Sequence, residues 1–193
     1  WILIILYIYK NLNKKTMKRL LFVLFVFFPI LMCAQKIDKN EIDEFTGVKT
    51  IYTNWEKFKS GNGLTGKDNL MFRFISLGGV ETFHLKWVTC EMLSIREGAK
   101  LMFKMSDNSV ITLNSLSHAI AAKGDGVTGL SMSGILGISC IYNGSDIDAF
   151  AKDTYLTKLR IYTTDGYVDI DIKEKDAQKI NRAYKLMKEA SVK

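Results

Sequence analysis

Histidine and proline are nearly missing from this chain: its 193 residues hold two histidines and one proline, with three cysteines. Neither His84 nor His118 has a second histidine or a cysteine at metal-ligand spacing, so a zinc site would need ligands scattered through the fold. No apolar run reaches the about 18 residues of a confident membrane span. No G-x-S-x-G elbow surrounds Ser131, Ser133 or Ser139, which removes the strand-to-helix nucleophile turn. Charge and aromatic content are not deficient: 24% charged and 11% aromatic residues exclude a disordered or collagen-like chain. The length suits one domain, at most two small ones.

The formal charge is +7, from 27 Lys+Arg against 20 Asp+Glu. Such an excess ordinarily suggests a nucleic-acid or membrane partner, but its distribution argues otherwise. Residues 1–16 read WILIILYIYKNLNKKT, rich in residues that AT-rich codons encode, and look like translated upstream sequence ahead of a start at Met17. From Met17 the order is that of a secretory signal peptide. Lys18 and Arg19 form a basic n-region, Leu20–Met32 a thirteen-residue apolar stretch interrupted by Pro29, and small residues Cys33 and Ala34 precede polar Gln35. Cleavage is expected at Ala34/Gln35. Lipidation of Cys33 is the alternative, although Met32 stands where a lipidated cysteine normally has Gly, Ala or Ser. Residues 1–34 carry five basic residues and no acid, so 27 less five leaves 22 against 20, or +2, over residues 35–193. The positive charge therefore reads as an address, with no nucleic-acid partner and no membrane anchor in the mature chain.

The mature chain reads as strands followed by one helix. Leu70, Phe72 and Phe74 alternate with Met71 and Arg73, and Phe83, Leu85 and Trp87 alternate with His84 and Lys86, the period-two pattern of half-buried strands. Gly78-Gly79 between them signals a hairpin. Further strands are expected over Val48–Trp55, Leu101–Met105, Val110–Leu113, part of 118–123, and Leu130–Tyr142. Residues 35–46 are polar and frayed or edge-packed. Ser145 is expected to cap a short helix to Asp153. Thr157–Tyr162 and Tyr167–Ile172 flank an Asp165-Gly166 hairpin signal. A helix over Lys173–Ala190 follows, with Asp171 and Glu174 resembling a capping box. Its apolar stripe is Ala177, Ile180, Tyr184 and Met187; Lys179, Arg182, Lys185 and Lys188 form a solvated face. The sum is α+β, mainly β: an antiparallel sandwich or barrel-like sheet of seven to nine strands with a C-terminal amphipathic helix. The closing hairpin and helix resemble the end of a pleckstrin-homology-like barrel, the alternative architecture.

Few residues carry a chemical signal. Gly124, Gly126 and Gly129 match G-x-G-x-x-G, but the residues after them read as strand rather than helix, so no nucleotide and no cofactor is implied. Asp169 and Asp171 share a strand face and could bind calcium or do acid–base work; alternating polar residues on a solvated strand face explain them without either, and that reading is preferred. Cys90 and Cys140, an even pair in an exported chain, could form a disulfide, or Cys140 could be a free thiol on an apolar face. Trp87 aligns with core residues, whereas Trp55, beside Glu56 and Lys57 at a strand end, is the better candidate to stack on a sugar or aromatic ligand.

The signal peptide ending Cys33-Ala34-Gln35, the opening Ile42-Asp-Glu-Phe-Thr-Gly47 and the run Leu159-Arg-Ile-Tyr-Thr-Thr-Asp-Gly-Tyr-Val-Asp-Ile-Asp171 resemble small uncharacterised exported proteins of Bacteroidetes-type bacteria. The resemblance implies an exported β-rich fold and supplies no activity. Three functions are expected in descending order: a non-catalytic binding or interaction module of the periplasm or cell surface, with an unknown envelope ligand or protein as partner; a carrier of an apolar ligand held between sheet and helix; and a hydrolase of scattered residues using His84.

Overall fold

In the computed structural model the described residues are 36–60, 69–89, 91–123 and 136–192. Residues 1–35, with Cys33 and the Ala34/Gln35 cleavage region, lie outside them, as do Cys90, the glycines at 124, 126 and 129, and Ser131 and Ser133. The chain enters through β1 (Ile37–Ile42), β2 (Lys49–Thr53) and β3 (Glu56–Lys59), then the long pair β4 (Asn69–Leu77) and β5 (Val80–Thr89). β6 (Ser94–Ile95), β7 (Lys100–Met105), β8 (Val110–Ser115), β9 (Ala119–Ile120), β10 (Ala122–Lys123) and β11 (Leu136–Asn143) follow. A 3-10 helix (Ser145–Ala151), the hairpin β12 (Leu156–Thr163) and β13 (Gly166–Asp171), a short α1 (Glu174–Ala177) and α2 (Lys179–Val192) complete the fold.

Among the described residues every strand pairing is antiparallel. The main sheet runs β1-β2-β4-β5-β11-β8-β7-β12-β13, with β3 added to β4 and β10 to β11; β6 and β9 form a separate two-stranded patch. The mainly-β fold with a C-terminal helix is as the alternation predicts. The barrel is not: β1 and β13 end the path without meeting, so the pleckstrin-homology-like closure does not form. The predicted hairpin after β4 is present, with Gly78 and Gly79 both at positive φ (57° and 86°), the conformation a two-residue type I′ turn demands and glycine supplies without strain.

The sheet curls around its own phenylalanines. Three strand spacings separate β5 from β7, about 14 Å in a flat sheet, yet the Phe83 and Phe103 ring centroids lie 5.2 Å apart. The fold bends at the seam between β11 and β8, where only Tyr142–Ser115 and Asn143–Asn114 pair. Gly144 follows at this seam, where a Cβ would come within 2.8 Å of the Thr112 carbonyl oxygen. Phe150 from the 3-10 helix and Tyr184 from α2 close the curl. Phe74 meets both rings at 5.5 and 5.1 Å, and Phe103 meets Phe150 at 5.0 Å. These rings occupy the space between sheet and helix where a carried apolar ligand would have to sit. Trp87 is core, as its alignment predicts; its Nε1 and the Tyr142 hydroxyl are buried without hydrogen-bond partners among the described residues.

Two predicted caps are not used. Ser145 lies inside the 3-10 helix, Gly144 is its N-cap, and the Ser145 hydroxyl turns to Asp146 instead. Asp171 stays in β13, opposite Lys158, and Lys173 occupies the cap position of α1 without a side-chain hydrogen bond. The C-terminal helix buries Ile180, Tyr184 and Met187 as its stripe predicts. Tyr184 fastens it further: its hydroxyl lies against the Glu81 carboxylate and 2.5 Å from Asp148, while Lys188 reaches both acids at 2.8 and 3.1 Å.

Candidate functional site

The residues that alternate with the core phenylalanines converge on the outer face of the sheet. Arg73 on β4 stands opposite His84 on β5, and Lys86 on β5 opposite Ser139 on β11. Tyr52 on β2 belongs to the same face, because its neighbour Ile51 points into the core. Trp55 arrives by a break in the strand. β2 pairs with the C-terminal half of β4 and β3 with its N-terminal half, so the two lie end to end along one edge. Ile51 and Thr53 face inward, and so does Phe58. Odd positions give way to an even one, so the link at Asn54-Trp55 carries an extra residue, and a residue outside the pleat is free to swing. Trp55 folds over the outer face.

The result is a ladder of alternating cations and rings across four strands. Lys39 Nζ is 5.8 Å from the Tyr52 ring centre. The Arg73 guanidinium carbon is 4.6 Å from both the Tyr52 and the Trp55 ring. Lys86 Nζ is 4.4 Å from Trp55. His84 meets the Trp55 ring at 4.9 Å, nearly edge-on. Each cation–ring contact contributes about 0.5–2 kcal/mol, more as water is excluded. Trp55 is therefore half-buried with its ring engaged by three neighbours, and is not the open stacking platform its position at a strand end suggests.

Hydrogen bonding fixes the state of His84. Arg73 Nε–H donates to His84 Nδ1 at 3.4 Å, and an arginine does not deprotonate in proteins. The ring proton therefore sits on Nε2, which donates to Ser139 Oγ at 2.7 Å. Burial, then the charges of Arg73 and Lys86, lower the His84 pKa to about 4. A Ser–His pair acting by general base needs the opposite polarity, with Nε2 accepting the hydroxyl proton. Here the imidazole is neutral, weakly basic and pointed the wrong way for that role, while the Ser139 hydroxyl keeps its own proton for another acceptor.

Arg73 is the anomaly. Among the described residues six other cations stand in ion pairs with side chains 30–45% exposed; the pairs of Lys158, Arg160, Lys179 and Lys188 measure 2.6–3.2 Å. The Arg73 side chain is only 17% exposed, yet its pair with the exposed Asp38 is 4.0 Å long. The most buried cation of the set has the longest ion pair. Burying a charge without a close counter-charge is expensive, and burial pulls the Arg73 pKa below its ordinary value.

The remaining candidates resolve into structure. Arg160 clasps Asp169 through two hydrogen bonds of 2.6 and 2.7 Å, and Lys158 pairs with Asp171 at 3.2 Å, so neither acid stands ready for calcium. Among the described residues, no three His, Cys, Asp or Glu side chains are grouped to hold a metal ion. Cys140 is a free thiol, buried and 3.0 Å from Ser115 Oγ, while its possible partner Cys90 lies outside the described residues; the Cys140 thiol faces the core, and burial raises its pKa. His118 is exposed. No described helix is long and apolar enough to cross a membrane. The sequence points to His84 and Trp55 separately, sets Ser139 aside for want of a nucleophile elbow, and gives no sign of Tyr52, Arg73 and Lys86 as their partners. The available signal was parity alone: Arg73, His84 and Lys86 all fall on the face opposite the phenylalanines. Comparison with protein-family models, curated proteins and solved structures found no match.

Proposed function

We propose that this protein is a non-catalytic binding module of the cell envelope, exported by its N-terminal signal and binding through the outer face of the sheet around Arg73. One observation carries the reading: a guanidinium held between two rings and largely withdrawn from water has no carboxylate closer than 4.0 Å among the described residues. Its desolvation is uncompensated in the free protein and is offset when a partner supplies the missing charge. The polarity of the His84–Ser139 hydrogen bond supports binding over hydrolysis. The likeness of its signal peptide and strand runs to exported proteins of Bacteroidetes-type bacteria supports an envelope location.

The test is retention of the purified protein on envelope material from the producing cells. Wild type is compared with Arg73→Met, Trp55→Ala and a control on the opposite wing, Lys104→Ala. Loss of retention in the first two with retention in the control is expected. Equal retention of all four places the binding face elsewhere. Turnover of any substrate that disappears on replacing His84 or Ser139 overturns the non-catalytic assignment.

A further inference from the structure

Resting on that binding face, we infer that its ligand presents an oxyanion, a phosphate or a carboxylate, to Arg73, with the Ser139 hydroxyl as a neighbouring donor. The hydrogen-bond inventory leads there. Arg73 spends one N–H on His84 Nδ1, and among the described residues its terminal nitrogens have only the distant, exposed Asp38. His84 spends its single proton on Ser139, which leaves the serine hydroxyl to donate outward. Lys86 adds a second positive charge at the Trp55 ring. The centre of the face thus offers donors and positive charge; the His84 lone pair is already used, and Ser139 has given one of its two to His84 while keeping its proton to donate.

A neutral sugar stacked on an aromatic face does not suit this surface, because both rings are occupied by cations. A metal ion does not suit it either, facing two positive charges and a histidine whose Nδ1 is taken. A guanidinium fork held 4.6 Å from both the Tyr52 and the Trp55 ring is pre-organised for two oxygens of one anion, so little side-chain entropy remains to be lost on binding.

His84 gives the readout. Its pKa is held down by burial and by the charges of Arg73 and Lys86; Ser139 and Trp55 are its other facing groups and are neutral. An anion on Arg73 cancels part of that field, so the His84 pKa must rise on binding. The experiment is an NMR titration of the His84 ring in the purified protein. Inorganic phosphate, glucuronate and neutral methyl glucoside are added separately at constant ionic strength in chloride. A saturable shift with phosphate or glucuronate, accompanied by a raised His84 pKa, supports the inference, and the arm that responds identifies the source of the oxyanion. Arg73→Met should weaken that response about tenfold or more, as loss of a charged hydrogen bond does. Arg73→Lys, which keeps the charge but not the fork, should fall between. Absence of saturation with both anions overturns the inference. Saturation with methyl glucoside alone also overturns it while leaving the binding face intact; the face itself stands or falls on retention by envelope material.

Discussion

Replacing His84 with Gln should remove a pH-dependent loss of stability that the wild-type protein suffers below neutrality. The native imidazole titrates at about 4 against an ordinary value of 6.5. Above pH 6.5 the ring is neutral in both folded and unfolded chains and contributes no pH dependence. Between 6.5 and 4 the unfolded chain binds the proton and the folded one does not, so stability falls as pH falls; below 4 both are protonated and the loss stops growing. At about 1.36 kcal/mol per pH unit the window amounts to about 3 kcal/mol, or roughly 10 °C in Tm for a domain of this size. Urea unfolding of wild type and His84→Gln at several pH values between 7.5 and 4 measures it. The carboxylates titrate in both proteins and cancel in the difference, which should grow by about 3 kcal/mol in favour of the variant across the window. A difference that stays flat, or a His84 ring titrating near 6.5 by NMR, refutes both the buried neutral imidazole and the hydrogen-bond polarity derived from it.

The core and the caps give further tests. Phe74→Ala removes a ring in contact with Phe72, Phe83, Phe150 and Tyr184 and should cost about 3–5 kcal/mol in urea unfolding. Asn181, 5% exposed, donates to the Phe150 and Lys152 carbonyls; Asn181→Ala should cost about 1–3 kcal/mol by the same assay. Ser145→Ala should change stability by less than about 0.5 kcal/mol, where a true cap would cost about 1 kcal/mol. Cys140 should be silent to a thiol reagent in the native protein and react fully in denaturant without prior reduction, because burial raises its pKa and hinders access.

The centre of this fold is legible from sequence because each strand there is buried on one face only. Leu70, Phe72 and Phe74 on β4 and Phe83, Leu85 and Trp87 on β5 recur at every second position, and a one-residue slip would put three phenylalanines into water, so period, register and the Gly78-Gly79 turn agree. Legibility fails where the period breaks. Val48–Trp55 reads as one strand, but the extra residue at Asn54-Trp55 ends β2 and starts β3, and no composition signal marks it. The same break delivers Trp55 to the site. The cap at Asp171 fails because cross-strand pairing with Lys158 holds that residue in the sheet, a long-range contact that outweighs a local motif. Barrel closure depends on how β1 and β13 are placed across the whole molecule, which periodicity does not encode.

The site was readable only in fragments for a related reason: its partners lie on separate strands. Arg73, His84 and Ser139 are distant in sequence and become neighbours only when β4, β5 and β11 align in register. What distinguishes them afterwards is energetic. Other ion-paired cations among the described residues stand closer to their carboxylates, with Arg160 2.6 Å from Asp169 and Lys179 2.6 Å from Asp176, although these lie nearer to water and need it less. At Arg73, the most buried of these ion-paired cations, the carboxylate stands off at 4.0 Å, and the neighbouring imidazole is held neutral at a further cost in acid. A sheet face selected for stability alone would carry Met or Leu at position 73, since replacing an under-compensated buried ion by an apolar side chain of similar volume is often neutral or stabilising by about 1–4 kcal/mol. Local costs that a single substitution could remove tend to mark sites kept for another purpose. On this face that purpose is to meet an anion.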